Sequence, residues 1–402
     1  MIRKVSPFIV IILFGNFWTK AASMLSLPFL AIYLSAHTTL SAGWIGFIVG
    51  CQPFAACLAG FWGGHLSDYF GRHRIILISL VMSAVVYFVF YLATMVNTAS
   101  IDKVVIFSVL NFFNGLFSSF FSPVSQALIS DNCEAQEKIK FLHARYLVAN
   151  IGAAMGPVIG AYIGASGGRV AFLLSAILFL IYTVFVVLVI RKIKSSKKPN
   201  GSYKSLWASI KLVINHKKFS LFVLSAIFFS MAYAQITSNF SLILERSFVD
   251  GVRFFSWMCA LNGLAVVAFQ PLMYMATKNL SPRKVVFWGN LIFSMSCLLM
   301  ALLPIYKSLI IVFMLAITLG EVLVVPTQSV MTDLFAPEDK RGLFFGAASL
   351  RQMGASFGPF AGGLAFQFFG HTAVFLLMTV LTIFSAFLNR RATNYKQLNE
   401  VV

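Results

Sequence analysis

One carboxylate stands deep in apolar sequence. Glu321 lies in LGEVLVVPTQSVM, about 13 residues into an apolar run at about 308–331. At the helical rise this is near the middle of a bilayer. A charge there costs about 2.5–3.5 kcal/mol on insertion scales, so an ionisable residue at such a depth is a functional candidate. A buried carboxyl escapes that cost by binding a proton, which suits it to carrying one. Glu321 is the only acid so deep in an apolar run. The alternative is a glutamate buried for structure and paired with Lys20 or an arginine.

The other ionisable candidates are basic: Lys20 in the first apolar run, Arg145 in the fifth and Arg351 in the eleventh. Lys20 can snorkel along a long first helix. Arg145 is only a few residues from the end of its run. Arg351 sits deeper and is expected to face Glu321 across a helix interface. Against one acid these bases leave the interior net positive, which favours neutral or anionic substrates over lipophilic cations. Asn16, Asn150, Asn262 and Gln235 supply amides to a polar cavity, because an amide facing lipid is costly. Asp131 and Asp333 close their runs and read as gate or capping residues.

Other chemistries are not encoded. The chain has no G-x-x-x-x-G-K-[ST] loop for a nucleotide and no H-E-x-x-H metal pair. Its six His are scattered, and its five Cys show no paired spacing. No enzyme activity, cofactor or metal is expected.

The elements that position these residues follow from composition. Of 402 residues, 59% are hydrophobic and 11% charged, and mean hydropathy is +0.87. A soluble protein carries about 25% charged residues, so this is a polytopic membrane protein. Apolar runs of span length fall at about 7–35, 42–66, 75–96, 104–130, 142–165, 170–190, 219–245, 255–277, 284–304, 308–331, 343–369 and 372–389. The first starts like a signal peptide but continues apolar, so it is read as a span. With twelve spans both termini lie on one side. The termini, the even-numbered loops and the stretch 191–218 hold 23 Lys and Arg, against five in the opposite loops. The positive-inside rule therefore puts both termini in the cytoplasm. It also explains the net charge of +19 as sidedness, without nucleic acid.

The chain is expected to consist of an N-terminal bundle at 1–190, a cytoplasmic basic linker at 191–218 and a C-terminal bundle at 219–402. The linker is a topology-setting connector in which 205–215 can form an amphipathic surface helix. The division rests on an internal repeat. NIGAAMGPVIGA at 150–161 places Gly152, Gly156 and Gly160 on one helix face beside Pro157. QMGASFGPFAGG at 352–363 repeats it 202 residues later, with Gly354, Gly358 and Pro359 in register. Upstream, Asp131 falls on Asp333 and Gln126 on Gln328. Such faces let helices approach closely, and two similar halves suggest a transporter with its site between them.

The loop GHLSDYFGRHRI at 64–75 follows G-x-L-[AS]-D-x-x-G-R-[RK], with His73 at the first basic place and Arg74 next. Asp68 and Arg72 can pair at the membrane surface, Gly64 allows close packing and Gly71 a tight reversal. This loop resembles the signature of the major facilitator superfamily, between the second and third of its twelve helices. The glycine stretch at 152–160 resembles that superfamily's fifth-helix antiporter motif, G-x-x-x-G-P-x-x-G. The whole chain is most similar to the twelve-helix drug:proton antiporter branch. The resemblance implies an all-α protein of two pseudo-symmetric six-helix bundles, a central cavity and alternating access by rocking. Glu321 also resembles a tenth-helix glutamate that serves coupling in some proton-coupled multidrug exporters. The chain departs from the family at NFFNG, where Asn111 replaces an arginine, which weighs against proton handling by the fourth helix.

The function expected is export of a small organic molecule by proton antiport, of the multidrug type, in the cytoplasmic membrane. The expected partners are a small-molecule substrate, protons and the lipid bilayer, with the protein working as a monomer. A dedicated exporter of one anionic or neutral metabolite, such as a siderophore, sugar or peptide, is the second reading. A non-transporting membrane receptor or sensor is the third.

Overall fold

The computed structural model describes residues 7–96, 100–132, 135–163, 168–190, 211, 214–336 and 341–392. Most of the basic stretch 191–218, and with it most of the expected surface helix at 205–215, lies outside these residues. The described chain is all helical and crosses a membrane twelve times. Nine helices among the described residues are long and apolar enough to span. One of them, within Gln352–Ala392, holds two passages divided at Gly370, where φ is 75° and ψ −170°. Ala135–Ile163 and a broken pair of helices complete the twelve.

The first span is not the continuous helix expected at 7–35. It runs Pro7–Met24, turns through the 3-10 segment Leu27–Phe29, and resumes as Leu30–His37. Span seven does the same, as Lys217–Tyr233 and Asn239–Ser247. Span eleven, expected at 343–369, carries a 3-10 turn at Ser349–Arg351 between Arg341–Ala348 and Gln352–Ala392. The remaining spans are Ala42–Phe70, Arg72–Ala93, Ser100–Asn132, Arg169–Ile190, Gly251–Thr277, Pro282–Leu302 and Lys307–Phe335.

Each half has its own apolar core. One contains residues between Ile9 and Val186, the other residues between Phe219 and Ala392. The cores exchange members at the breaks and the half-helices that follow them: Phe29 and Ile32 join the second core and Leu242 the first. The halves also meet where spans two and eleven touch, with the Ser356 hydroxyl donating to the Gly50 carbonyl at 2.8 Å. Spans five and eight meet through the rings of Tyr162 and Trp257, 6.5 Å apart.

Gly71 makes the reversal between spans two and three with φ of 91°, a conformation that glycine adopts without a Cβ penalty. It marks the face that also carries Arg74, Lys278, Lys284, Arg390 and Arg391, all exposed; we call this the basic face. On the opposite face the Lys307 ammonium donates to both Asp250 carboxylate oxygens at 2.6 and 2.7 Å. That contact holds the Asp250 carboxyl below its usual range. The pair is therefore intact at neutral pH and is lost only as pH falls through the lowered value.

Candidate functional site

The glycine motif positions the site. Span five lies against span one so closely that a methyl group at Gly152, Gly156 or Gly160 would overlap the carbonyls of Phe17, Ala21 and Leu25. Those carbonyls climb span one to its break. In the second half Gly354 and Gly358 meet the carbonyls of Ile227 and Met231 on span seven, and Gly362 meets the Gln235 amide. The repeated sequence thus performs the same task twice, seating one helix on the interrupted one. Pro157 and Pro359 are buried within these contacts.

The breaks need polar support, because an interrupted helix frees backbone groups that lipid cannot satisfy. At span seven, Gln235 is fully buried and donates to the carbonyls of Gly358 and Met231 at 2.7 and 3.0 Å. Asn239 donates to Gln235 Oε1 and to the Pro359 carbonyl at 2.7 and 2.9 Å. At span one, the Ser175 hydroxyl bonds the Ala22 carbonyl at 2.7 Å and Ser26 Oγ at 2.9 Å. Gln235 therefore serves the helix break in this conformation and faces no open space.

Glu321 is buried on Lys307–Phe335, where the preceding Gly320 packs against span nine at Gly289 and Phe293. Its carboxylate is held by two neutral donors. The Tyr233 hydroxyl donates to Oε1 at 2.8 Å and Asn262 Nδ2 to Oε2 at 2.9 Å. Asn262 also donates to Thr318 Oγ1 at 2.8 Å, so spans seven, eight and ten converge on one acid. Tyr233 is the last residue of its helix before the break. Sequence reasoning missed Tyr233 and Thr318. Thr318, three residues before Glu321, shares its helix face and was open to discovery by spacing; Tyr233 depends on tertiary packing alone.

The cation expected opposite Glu321 lies elsewhere. Arg351, in the 3-10 turn, lines a small cavity with Phe222, Val223, Ala226, Gln328, Thr332 and Ala348. Gln328 is seven residues beyond Glu321, about 10 Å along the helix toward the basic face.

The other polar cluster is in the first half. Arg145 Nη1 donates to Asn16 Oδ1 and to Ser122 Oγ, both at 3.2 Å. Ser125 also donates to Asn16 Oδ1, at 3.4 Å, and Asn16 Nδ2 bonds its own helix at Ile12. Lys20 lies one turn beyond Asn16, and it is exposed. Asn111, in the place of the family's arginine, donates to the carbonyls of Ile48 and Val49 at 2.8 and 3.2 Å and so fastens span four to span two. The Asn150 backbone carbonyl lies at the contact of spans five and eight, against Gly263. Of the loop motif, Arg72 is half-buried and Arg74 exposed. Gly64, Asp68 and Asp131 are helical, and their side chains lie outside the described residues.

This arrangement, an acid in one half and a base-rich cluster in the other, sits on a fold found in known proteins. The uncharacterized MFS-type transporter YqjV of Bacillus subtilis (strain 168) is 29% identical over 94% of this chain and 91% of its own length. The Na(+), Li(+), K(+)/H(+) antiporter of Planococcus maritimus is 25% identical, covering 93% of each chain. The multidrug resistance protein MdtG of Klebsiella pneumoniae (strain 342) is 26% identical over 92% of this chain and 90% of its own. Among solved structures, a point mutant of the nucleoside transporter NupG superposes with a TM-score of 0.80 at 14% identity, covering 96% of this chain and all of its own. Residues 11–248 and 247–400 each match the Major Facilitator Superfamily. The chain belongs to that superfamily and is a secondary transporter, not an enzyme.

Proposed function

We propose that this transporter exports a small organic molecule in exchange for protons, and that Glu321 carries the proton. The observation that supports the reading most is the setting of Glu321: a buried carboxylate with two neutral donors and, among the described residues, no ion-pair partner. Ionised, it carries an uncompensated charge in a low-dielectric interior; protonated, it does not. Proton binding therefore changes the energy of moving this region between the two sides. One proton crossing inward supplies about 2.3 kcal/mol per 100 mV, before any pH term. The names of the Planococcus antiporter and of MdtG agree with antiport and with drug efflux.

In this reading the protein sits in the cytoplasmic membrane with its basic face inward, both termini there, and the stretch 191–218 joining the bundles 1–190 and 219–402. A second reading, export of one anionic or neutral metabolite, is favoured by Lys20 and Arg145, which no described acid pairs with.

The test uses proteoliposomes loaded with a pH dye and challenged with a panel of lipophilic cations and organic carboxylates. Wild-type protein is expected to move protons on addition of at least one compound, and Glu321→Gln to move none. Proton movement by the variant at the wild-type rate would end the reading.

A further inference from the structure

We infer that Lys20 and Arg145, joined through Asn16, form a binding site for an anionic group of the substrate, a carboxylate or a phosphate. The inference deepens the functional reading above and rests on its premise that the protein transports a small organic molecule.

Three observations carry it. First, the two cations flank one amide. Arg145 bonds Asn16 directly, and Lys20 follows Asn16 by four residues on the same helix, Pro7–Met24. Residues so spaced have Cβ atoms about 5–6 Å apart. Second, Lys20 stands toward the polar side of its helix. Around the helix it stands about 40° from buried Asn16 and about 80° and 120° from Val10 and Phe14 by the helical repeat. Val10 and Phe14 form the lipid-exposed side. This exposed residue thus stands nearer the polar Asn16 side of the helix than the lipid-exposed one. Third, neither charge has a counter-ion among the described residues. Among the described residues, no acid forms an ion pair with Lys20 or Arg145. Among the described residues Arg145 donates to neutral oxygens only, and its buried Nε has no hydrogen-bond partner.

Two cations that flank one amide, with no described counter-ion, are best satisfied by an anion that joins them. Ser122, Ser125 and Asn16 orient the guanidinium but bring no charge. A guanidinium supplies a fork of donors and a lysine a mobile point charge, a combination suited to carboxylate and phosphate oxygens. Glu321 lies in the other half with its oxygens committed to Tyr233 and Asn262. The anion site and the proton site are thus separate, one in each half.

The test is equilibrium binding to the full-length protein in nanodiscs. Four probes share one apolar body: 1-naphthoate, 1-naphthyl phosphate, 1-naphthylmethylammonium and 1-naphthylmethanol. At least one anion is expected to bind about tenfold tighter than the ammonium probe, a modest factor because Lys20 is open to water. Which anion prevails identifies the carboxylate or the phosphate as the cognate group. Lys20→Met should remove that preference and leave the alcohol's affinity unchanged, while Lys20→Arg should keep it. Arg145 ties three spans together, so Arg145→Lys accompanies Arg145→Gln, and both are checked for a monodisperse elution profile. Equal or tighter binding of the ammonium probe, no saturable binding of either anion, or an unchanged preference in Lys20→Met would each overturn the site. Glu321→Gln separates the two claims. Anion preference retained in a protein that moves no protons in either form keeps this site and removes the antiport reading. Proton movement without anion preference does the reverse.

Discussion

Glu321 depends on its immediate partners. Asn262 bridges it to Thr318, so Asn262→Leu leaves one carboxylate oxygen without its donor. The expected cost is about 1–3 kcal/mol, the range for an unsatisfied buried polar group. It is read as a lowered midpoint in thermal unfolding of detergent-purified protein. An unchanged midpoint would mean that water replaces the amide. The depth of Glu321 was readable from the sequence, because a lone acid in an apolar run needs no structure to be noticed. Its surroundings were not. The expected partner Arg351 lies toward the basic face, beside Gln328 and Thr332, because apolar periodicity does not specify how one helix is offset along another. Conversely, Asn16 and Arg145 each stand out in the sequence for polarity alone, and their hydrogen bond across 129 residues of chain only folding could reveal.

At the scale of elements, the glycine motif and the helix breaks form one device repeated in both halves. Gly156→Val puts a branched side chain into the Ala21 carbonyl and Met24. Overpacking of this kind costs about 1–3 kcal/mol. Gly358→Val against Met231 should cost a similar amount, and both should slow transport. A variant with wild-type melting and transport would show that the helices separate without penalty. Gly370 tests a different quantity. Its positive φ belongs to glycine, yet nothing lies within 4 Å of an added Cβ. Gly370→Ala should therefore destabilise by about 1–3 kcal/mol through backbone strain alone. The two breaks differ in legibility. Span one carries Pro28 next to its interruption, a signal that propensity can register. Span seven turns at 234–238, AQITS, with neither Gly nor Pro. Side chains hold that turn: Ser238 donates to the Ala234 carbonyl at 2.7 Å, and Gln235 and Asn239 reach span eleven.

At the scale of the whole molecule, the proposed export requires the halves to separate for a substrate to pass. The Tyr162–Trp257 contact joins them through spans five and eight. In a cysteine-free background, Tyr162→Cys with Trp257→Cys, bridged by a short reducible cross-linker, should stop transport, and reduction should restore it. Transport that continues while cross-linked would mean that this contact does not open in the cycle. The two-fold organisation was legible in the sequence because the repeat aligned at 202 residues. The exchange of Phe29, Ile32 and Leu242 between the two cores was not, since it follows from the breaks that let each half-helix lean across.

The account turns on whether Glu321 couples protons or only supports the fold, and one comparison separates these directly. Proteoliposomes containing wild-type protein or Glu321→Gln are assayed with the same substrate in two modes: accumulation driven by an imposed pH gradient, and counterflow without one. The account predicts that the variant loses gradient-driven accumulation completely and keeps counterflow within a few-fold of wild type. Gradient-driven accumulation by Glu321→Gln at the wild-type level, or loss of both modes together with a collapsed elution profile, would contradict it.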